Sequence, residues 1–308
     1  MAHHRPPVPR SLLEPKGPWT PRRISAAGAS FHVADAGPQD SEHVVVLLHD
    51  FPFFWWSFHE VIPLLSEAGH RVVALDLRGF GTSDLQRDDP DLTQLARDVT
   101  AVVSAMGIAQ FSVVGVGLGG AVAWMIGAQD PVSLRSVTTV VAPHPLAQPS
   151  RGISSLFSGG ALLALRLEIP LRRIHLLENG KLVDGMLRTW AAPANRASLV
   201  AGAGRYRAAL TRSFAASAAV DSAAAARHLS LAARRALATT VKVPVLSVHG
   251  GQDSFLRPTD YHEDARWVSG RYSARTLHGC GHFPPEEDPA GLAAEILRQL
   301  SSVPPREH

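Results

Sequence analysis

Apolar and polar positions along the chain fall into short blocks that predict strands and helices in succession. From Arg22 to Ala36 two alternating segments meet at Gly28, the pattern of an antiparallel hairpin. Val44 to Leu48 is an unbroken apolar run, as in a strand buried on both faces, and Val72 to Leu75 is a second. Helical spacing over Ser57 to Glu67 separates them. Strand, helix, strand alternation of this kind builds a doubly wound, mostly parallel α/β sheet through right-handed crossovers. Leu92 to Met106 repeats with helical period, and Ser112 to Val114 and Val137 to Val141 read as further strands.

After Ala142-Pro143-His144-Pro145 the pattern changes. Up to about residue 240 the chain is rich in Ala, Leu and Arg at helical spacing, with no strand-like run, which predicts an α-helical cap over 146–240 inserted into the α/β core. The alternation resumes with a strand at Val245 to Val248, a helix near Tyr261 to Trp267, a strand at Ser273 to Leu277 and a closing helix from Pro289 to Leu300. Residues 22–145 and 241–308 are therefore the two parts of one core. Residues 1–21 form a proline-rich arm that is expected to be poorly ordered.

Composition narrows the class. With 308 residues and 45% hydrophobic content the chain can bury a sizeable core. The net charge of +3, without basic runs interleaved with aromatics, gives no nucleic-acid signature. Cys280 is the single cysteine, so no internal disulfide forms, and a buried structural thiol is expected there. Five prolines interrupt the first nineteen residues where a signal peptide needs an apolar segment, so a cytoplasmic protein without a membrane partner is expected. His3 and His4 lack metal-ligand spacing, and no metal constellation or cofactor is predicted. The uncharged stretch Phe111 to Ala128 is long, but its central glycines fit a buried strand, turn and helix better than a membrane span.

That stretch also carries the candidate chemistry. Gly115, Gly117 and Gly119 follow a strand and precede a helix, the layout of a sharp turn whose outer positions must be small and whose centre takes positive φ. Gly115, Gly117 and Gly120 also satisfy G-x-G-x-x-G, a dinucleotide fingerprint. The next strand ends in Ala142 and Pro143, however, where that fingerprint needs an acid for ribose. A dinucleotide oxidoreductase is thus a remote alternative.

Five ordered motifs resemble the α/β-hydrolase superfamily, most of all its epoxide hydrolase and haloalkane dehalogenase branch. They are His49-Asp50-Phe51-Pro52, followed by Phe53, Phe54, Trp55 and Trp56; Asp76-Leu77-Arg78-Gly79-Phe80-Gly81-Thr82-Ser83; the glycine turn at 115–119; Gly250-Gly251-Gln252-Asp253; and Gly279-Cys280-Gly281-His282-Phe283. The resemblance implies an elbow nucleophile at 117, His282 as base, Asp253 as its orienter, and the N–H groups of Phe51 and Leu118 as oxyanion donors. It also implies cap tyrosines as acids, for which Tyr206 is the one candidate.

The chain departs from this pattern in having Gly117 at the nucleophile, Asp50 in place of a glycine, and one cap tyrosine instead of two. Asp50 either substitutes for the glycine's backbone conformation or is a relocated nucleophile. Asp253 alternatively caps a turn, and Trp55 and Trp56 are pocket walls or plain core. The turn is expected to leave room for a carboxylate restored at 117. Two functions follow: a noncovalent hydrolase of a small apolar substrate, or an inactive pseudoenzyme that binds a small ligand or a protein partner through the old pocket.

Overall fold

The computed structural model describes residues 8–41, 44–85, 91–129, 131–147, 170–212, 214–226 and 228–303. Eight strands form one sheet: β1 (Thr20–Ala26), β2 (Ala29–Ala36), β3 (Val44–Leu48), β4 (Arg71–Leu75), β5 (Phe111–Val116), β6 (Leu134–Val140), β7 (Val245–Gly250) and β8 (Tyr272–Leu277). Their order is β1-β2-β4-β3-β5-β6-β7-β8, parallel from β4 to β8, with β1 and β2 antiparallel at one edge. The apolar runs explain the centre, since every residue of β3, β4 and β5 is buried, as strands covered by helices on both faces must be. From β3 the chain crosses to β4 on one side and then returns to β5 on the other. This reversal opens a crevice between the C-terminal ends of β3 and β5, the place where such sheets accept ligands.

Helix α1 (Arg10–Leu13) precedes the sheet, and α2 (Val61–Glu67), α3 (Leu92–Ala105) and α4 (Leu118–Gln129) follow β3, β4 and β5. Asp91 starts α3 by accepting from the Thr93 amide. Helix α4 is buried from Leu118 to Ala128, which accounts for its lack of charge. No helix among the described residues is long and apolar enough to cross a membrane. Between β6 and β7 the described chain is helical, over Pro170–Glu178, Lys181–Trp190, Arg196–Gly202, Gly204–Leu210, Ala215–Ala225 and Leu231–Leu237. Residues 148–169 of the expected cap lie outside the described residues, as do His3 and His4.

Some expectations need correction. The helix expected over 57–67 divides into a 3-10 turn, Trp55–Phe58, and α2, and the one expected near 261–267 becomes two 3-10 turns, Pro258–Tyr261 and Asp264–Trp267. The described part of the N-terminal arm, residues 8–21, packs onto the core. Leu13 is buried, its carbonyl accepts from Trp55 Nε1 at 3.0 Å, and Trp19 packs edge-on against Trp55 and Trp56. Apolar burial holds the segment down despite its prolines.

Candidate active site

Four connections at the C-terminal ends of β3, β5, β7 and β8 build the site. The turn from β5 into α4 is tight because it has to be: a Cβ on Gly115 would lie 2.1 Å from the Gly119 carbonyl oxygen, and one on Gly119 would lie 2.2 Å from that of Leu48. Gly117 stands at its apex with φ +50°, its N–H on the Val140 carbonyl at 3.0 Å. The loop after β3 faces it. His49 is fully buried and bridges two loops, with Nδ1 2.9 Å from the Asp50 carbonyl oxygen and Nε2 accepting from the Leu77 amide at 3.1 Å. This pattern is that of a neutral imidazole, and burial lowers its pKa accordingly.

Asp50 is the residue whose placement the sequence left open. Its φ is not positive, so it does not stand in for a glycine's conformation. Its side chain instead reaches across to the turn. Oδ1 accepts from Phe51 N–H and from Leu118 N–H, both at 2.7 Å. The two expected oxyanion donors thus converge on one oxygen, and that oxygen belongs to the chain itself. A Cβ on Gly117 would lie 2.0 Å from the Asp50 carboxylate carbon, so the expectation of free room at 117 is corrected. Burial raises the Asp50 pKa, opposed by His282 and the two amides.

The loops after β7 and β8 supply the other half. Asp253 Oδ1 accepts from Phe255 N–H at 2.7 Å and Leu256 N–H at 3.1 Å, while Oδ2 lies 2.7 Å from His282 Nδ1. Asp253 is therefore both a turn residue and the histidine's orienter. His282 Nε2 points toward Asp50, 3.8 Å from Oδ2. Burial alone would lower the His282 pKa, but the carboxylates of Asp253 and Asp50 outweigh it and raise it above the ordinary value of 6.5.

A cavity of about 240 Å³ opens over these groups. Its other walls are apolar, among them Leu118, Val141, Met186, Trp190 and Phe255, and the ionisable side chains in its described lining are Asp50 and His282. Val141 has φ +45°, a strained conformation for a β-branched residue.

Two expected pocket residues lie elsewhere. Trp55 is core, packed with Trp19 and Trp56 and absent from the described lining. Tyr206 is buried under the aromatic rings of Phe53 and Phe54, and its hydroxyl donates to Glu286 at 2.9 Å instead of facing the cavity. Cys280 is buried and unpaired, and burial raises its pKa.

The sequence reading also missed Glu287. Its carboxylate accepts from Gly281 N–H and Phe283 N–H, on either side of His282, and from Ala192 N–H across the helical segment. An acid six residues beyond Gly281 and eight beyond Gly279 was its only signal.

The α/β-hydrolase fold model matches residues 43–289, most of the chain, with every strand that carries these loops and all of the sheet but β1 and β2. The chain belongs to the α/β-hydrolase superfamily. Within this superfamily it is most similar to epoxide-hydrolase-like members. Epoxide hydrolase B of Mycobacterium tuberculosis is 38% identical over 125 residues, which are 40% of this chain and 35% of that protein. Epoxide hydrolase 4 of Mus musculus is 35% identical over 126 residues, 40% of this chain and 34% of that protein. The match thus spans well under half the length of these relatives. Among solved structures, Cfl2 from Burkholderia cenocepacia is 26% identical, with a TM-score of 0.69 over 90% of this chain and 94% of that one. In this α/β-hydrolase the Asp76 motif is scaffolding: its carboxylate accepts from Trp55 N–H and Thr82 N–H at 2.9 Å and lies 3.0 Å from His32 Nδ1.

Proposed function

We propose that this α/β-hydrolase is an epoxide-hydrolase-like enzyme for a small, largely apolar substrate, in which His282, oriented by Asp253, activates water. The observation that carries the reading is the aligned pair: Nδ1 is tied to Asp253 at 2.7 Å while Nε2 faces an apolar cavity. An imidazole held in that tautomer is a general base for a molecule in the cavity. Glu287, bonded to the amides flanking His282, keeps the ring in place. The relatives' names favour epoxides; alkyl halides and small esters are the other electrophiles worth testing against the same base and water.

A hydrolysis screen over these three classes tests the reading. Turnover of at least one class is expected, and His282→Ala should abolish it; undiminished turnover in that variant would remove the histidine from the mechanism. A second reading, a ligand-binding protein without activity, is favoured by one observation: Asp50 already fills the donors that a substrate oxyanion would use. That reading expects a ligand to bind with no product, and affinity within roughly a few-fold of the parent's in His282→Ala.

A further inference from the structure

The same contact that closes the hole to substrate has a second chemical meaning. A carboxylate nucleophile needs one oxygen held by the donors, where negative charge will develop, and the other free to attack carbon. It also needs a histidine placed to send water at its own carboxyl carbon. Asp50 meets each demand. Oδ1 is held by Phe51 N–H and Leu118 N–H, and Oδ2 accepts no hydrogen bond among the described residues and borders the cavity 3.8 Å from His282 Nε2. Its carboxyl carbon lies 2.0 Å from where a Cβ on Gly117 would stand, so the group occupies the elbow side chain's space from the opposite loop.

We infer that Asp50 is the nucleophile of this protein, moved from the elbow to the loop after β3, and that Gly117 is the vacancy that admits it. The inference rests on the hydrolase reading above and replaces direct water attack with an ester on Asp50. The substrate is a small molecule with an electrophilic sp³ carbon. For an epoxide, an Oδ2 electron pair forms the new C–O bond, the ring C–O bond breaks with its pair on the ring oxygen, and that oxygen takes a proton from water, leaving hydroxide. A second water then attacks the Asp50 carboxyl carbon while His282 Nε2 accepts its proton, and charge develops on Oδ1 in the grip of the two amides. Collapse breaks the bond between the carboxyl carbon and Oδ2, the departing alkoxide takes the proton back from His282, and the acid left on Asp50 neutralises the hydroxide. The sum is epoxide plus water to diol. An alkyl bromide follows the same path, but bromide leaves without a proton.

The test uses the unmodified chain and two probes, 1,2-epoxybutane and 1-bromobutane. In a single turnover in heavy-oxygen water, the product should carry light oxygen and the label should appear on Asp50 in peptide mass spectra. In His282→Gln the ester should persist, as one butyl or hydroxybutyl group on the Asp50 peptide, and Asp50→Asn should lose that adduct. Label entering the product in the first turnover, with no ester on Asp50, would overturn the inference and leave direct water activation by His282 standing. Neither product nor adduct from probes that demonstrably occupy the cavity would overturn both readings and leave the ligand-binding one.

Discussion

At the scale of single residues, Gly117 and Asp50 are one feature seen from two sides. Any side chain at 117 meets two penalties, the strain of φ +50° and the collision with the Asp50 carboxylate. Gly117→Ala should therefore cost the usual strain of about 1 to 3 kcal/mol plus the collision in the parent, and the strain alone when Asp50 is also replaced by Gly. Urea unfolding of the four proteins should show a coupling above about 0.5 kcal/mol; additive effects would mean that the carboxylate does not fill the turn. On the proposed mechanism, His282 sets the pH response. Its pKa is raised, so the neutral base is populated only above that raised value, and release of product should climb with pH through a midpoint above 6.5. Below the midpoint, an ester on Asp50 should accumulate, which quenched mass spectra at two pH values would show. In stability terms the sign is opposite: the His282 contribution is complete below 6.5 and is lost as pH rises through the folded value.

At the scale of elements, the loop after β8 depends on Glu287 as much as on its own glycines. Glu287→Gln keeps the shape but turns an N–H donor toward backbone donors, which should lower stability by about 1 to 3 kcal/mol. Hydrogen exchange should quicken at the Gly281 and Phe283 amides, and unchanged protection there would argue against its role. The elements themselves were legible from pattern. Unbroken apolar runs marked β3 and β4, and the short run Ser112 to Val114 with the glycine spacing after it marked β5 and the turn into α4, because burial and close backbone approach restrict residue type at each of those positions. Loop side chains were not legible in the same way. Nothing in the run His49-Asp50-Phe51 states that the carboxylate turns toward β5 and not toward solvent, since the partner that draws it, the Leu118 amide, is distant in sequence. Tyr206 misled for the same reason. Its composition suits a pocket acid, but Glu286 captures its hydroxyl, and only the fold brings those two together.

At the scale of the whole molecule, buried carboxylates away from the site hold the sheet edge and the loop after β4. Asp35 pairs with Arg71 and Arg22, and Asp76 with His32 and two backbone amides; burial pushes both pKa values up, but these partners prevail and both are lowered from 3.8. Their contributions are present above 3.8 and are lost as pH falls through the lowered folded values. Acid unfolding should therefore set in below 3.8, and the urea midpoint of Asp76→Asn should be lower at neutral pH and fall less steeply on acidification. The carboxylate that crosses from the loop after β3 to the turn into α4 also bears on how such a chain can change over time. Restoring glycine at 50 alone would leave the cavity without a carboxylate at the turn, and restoring an acid at 117 alone would force two carboxylates into one space. If Asp50 is the nucleophile, either single change would remove ester formation, so the two positions are expected to vary as a pair, with no one-residue exchange between the two arrangements.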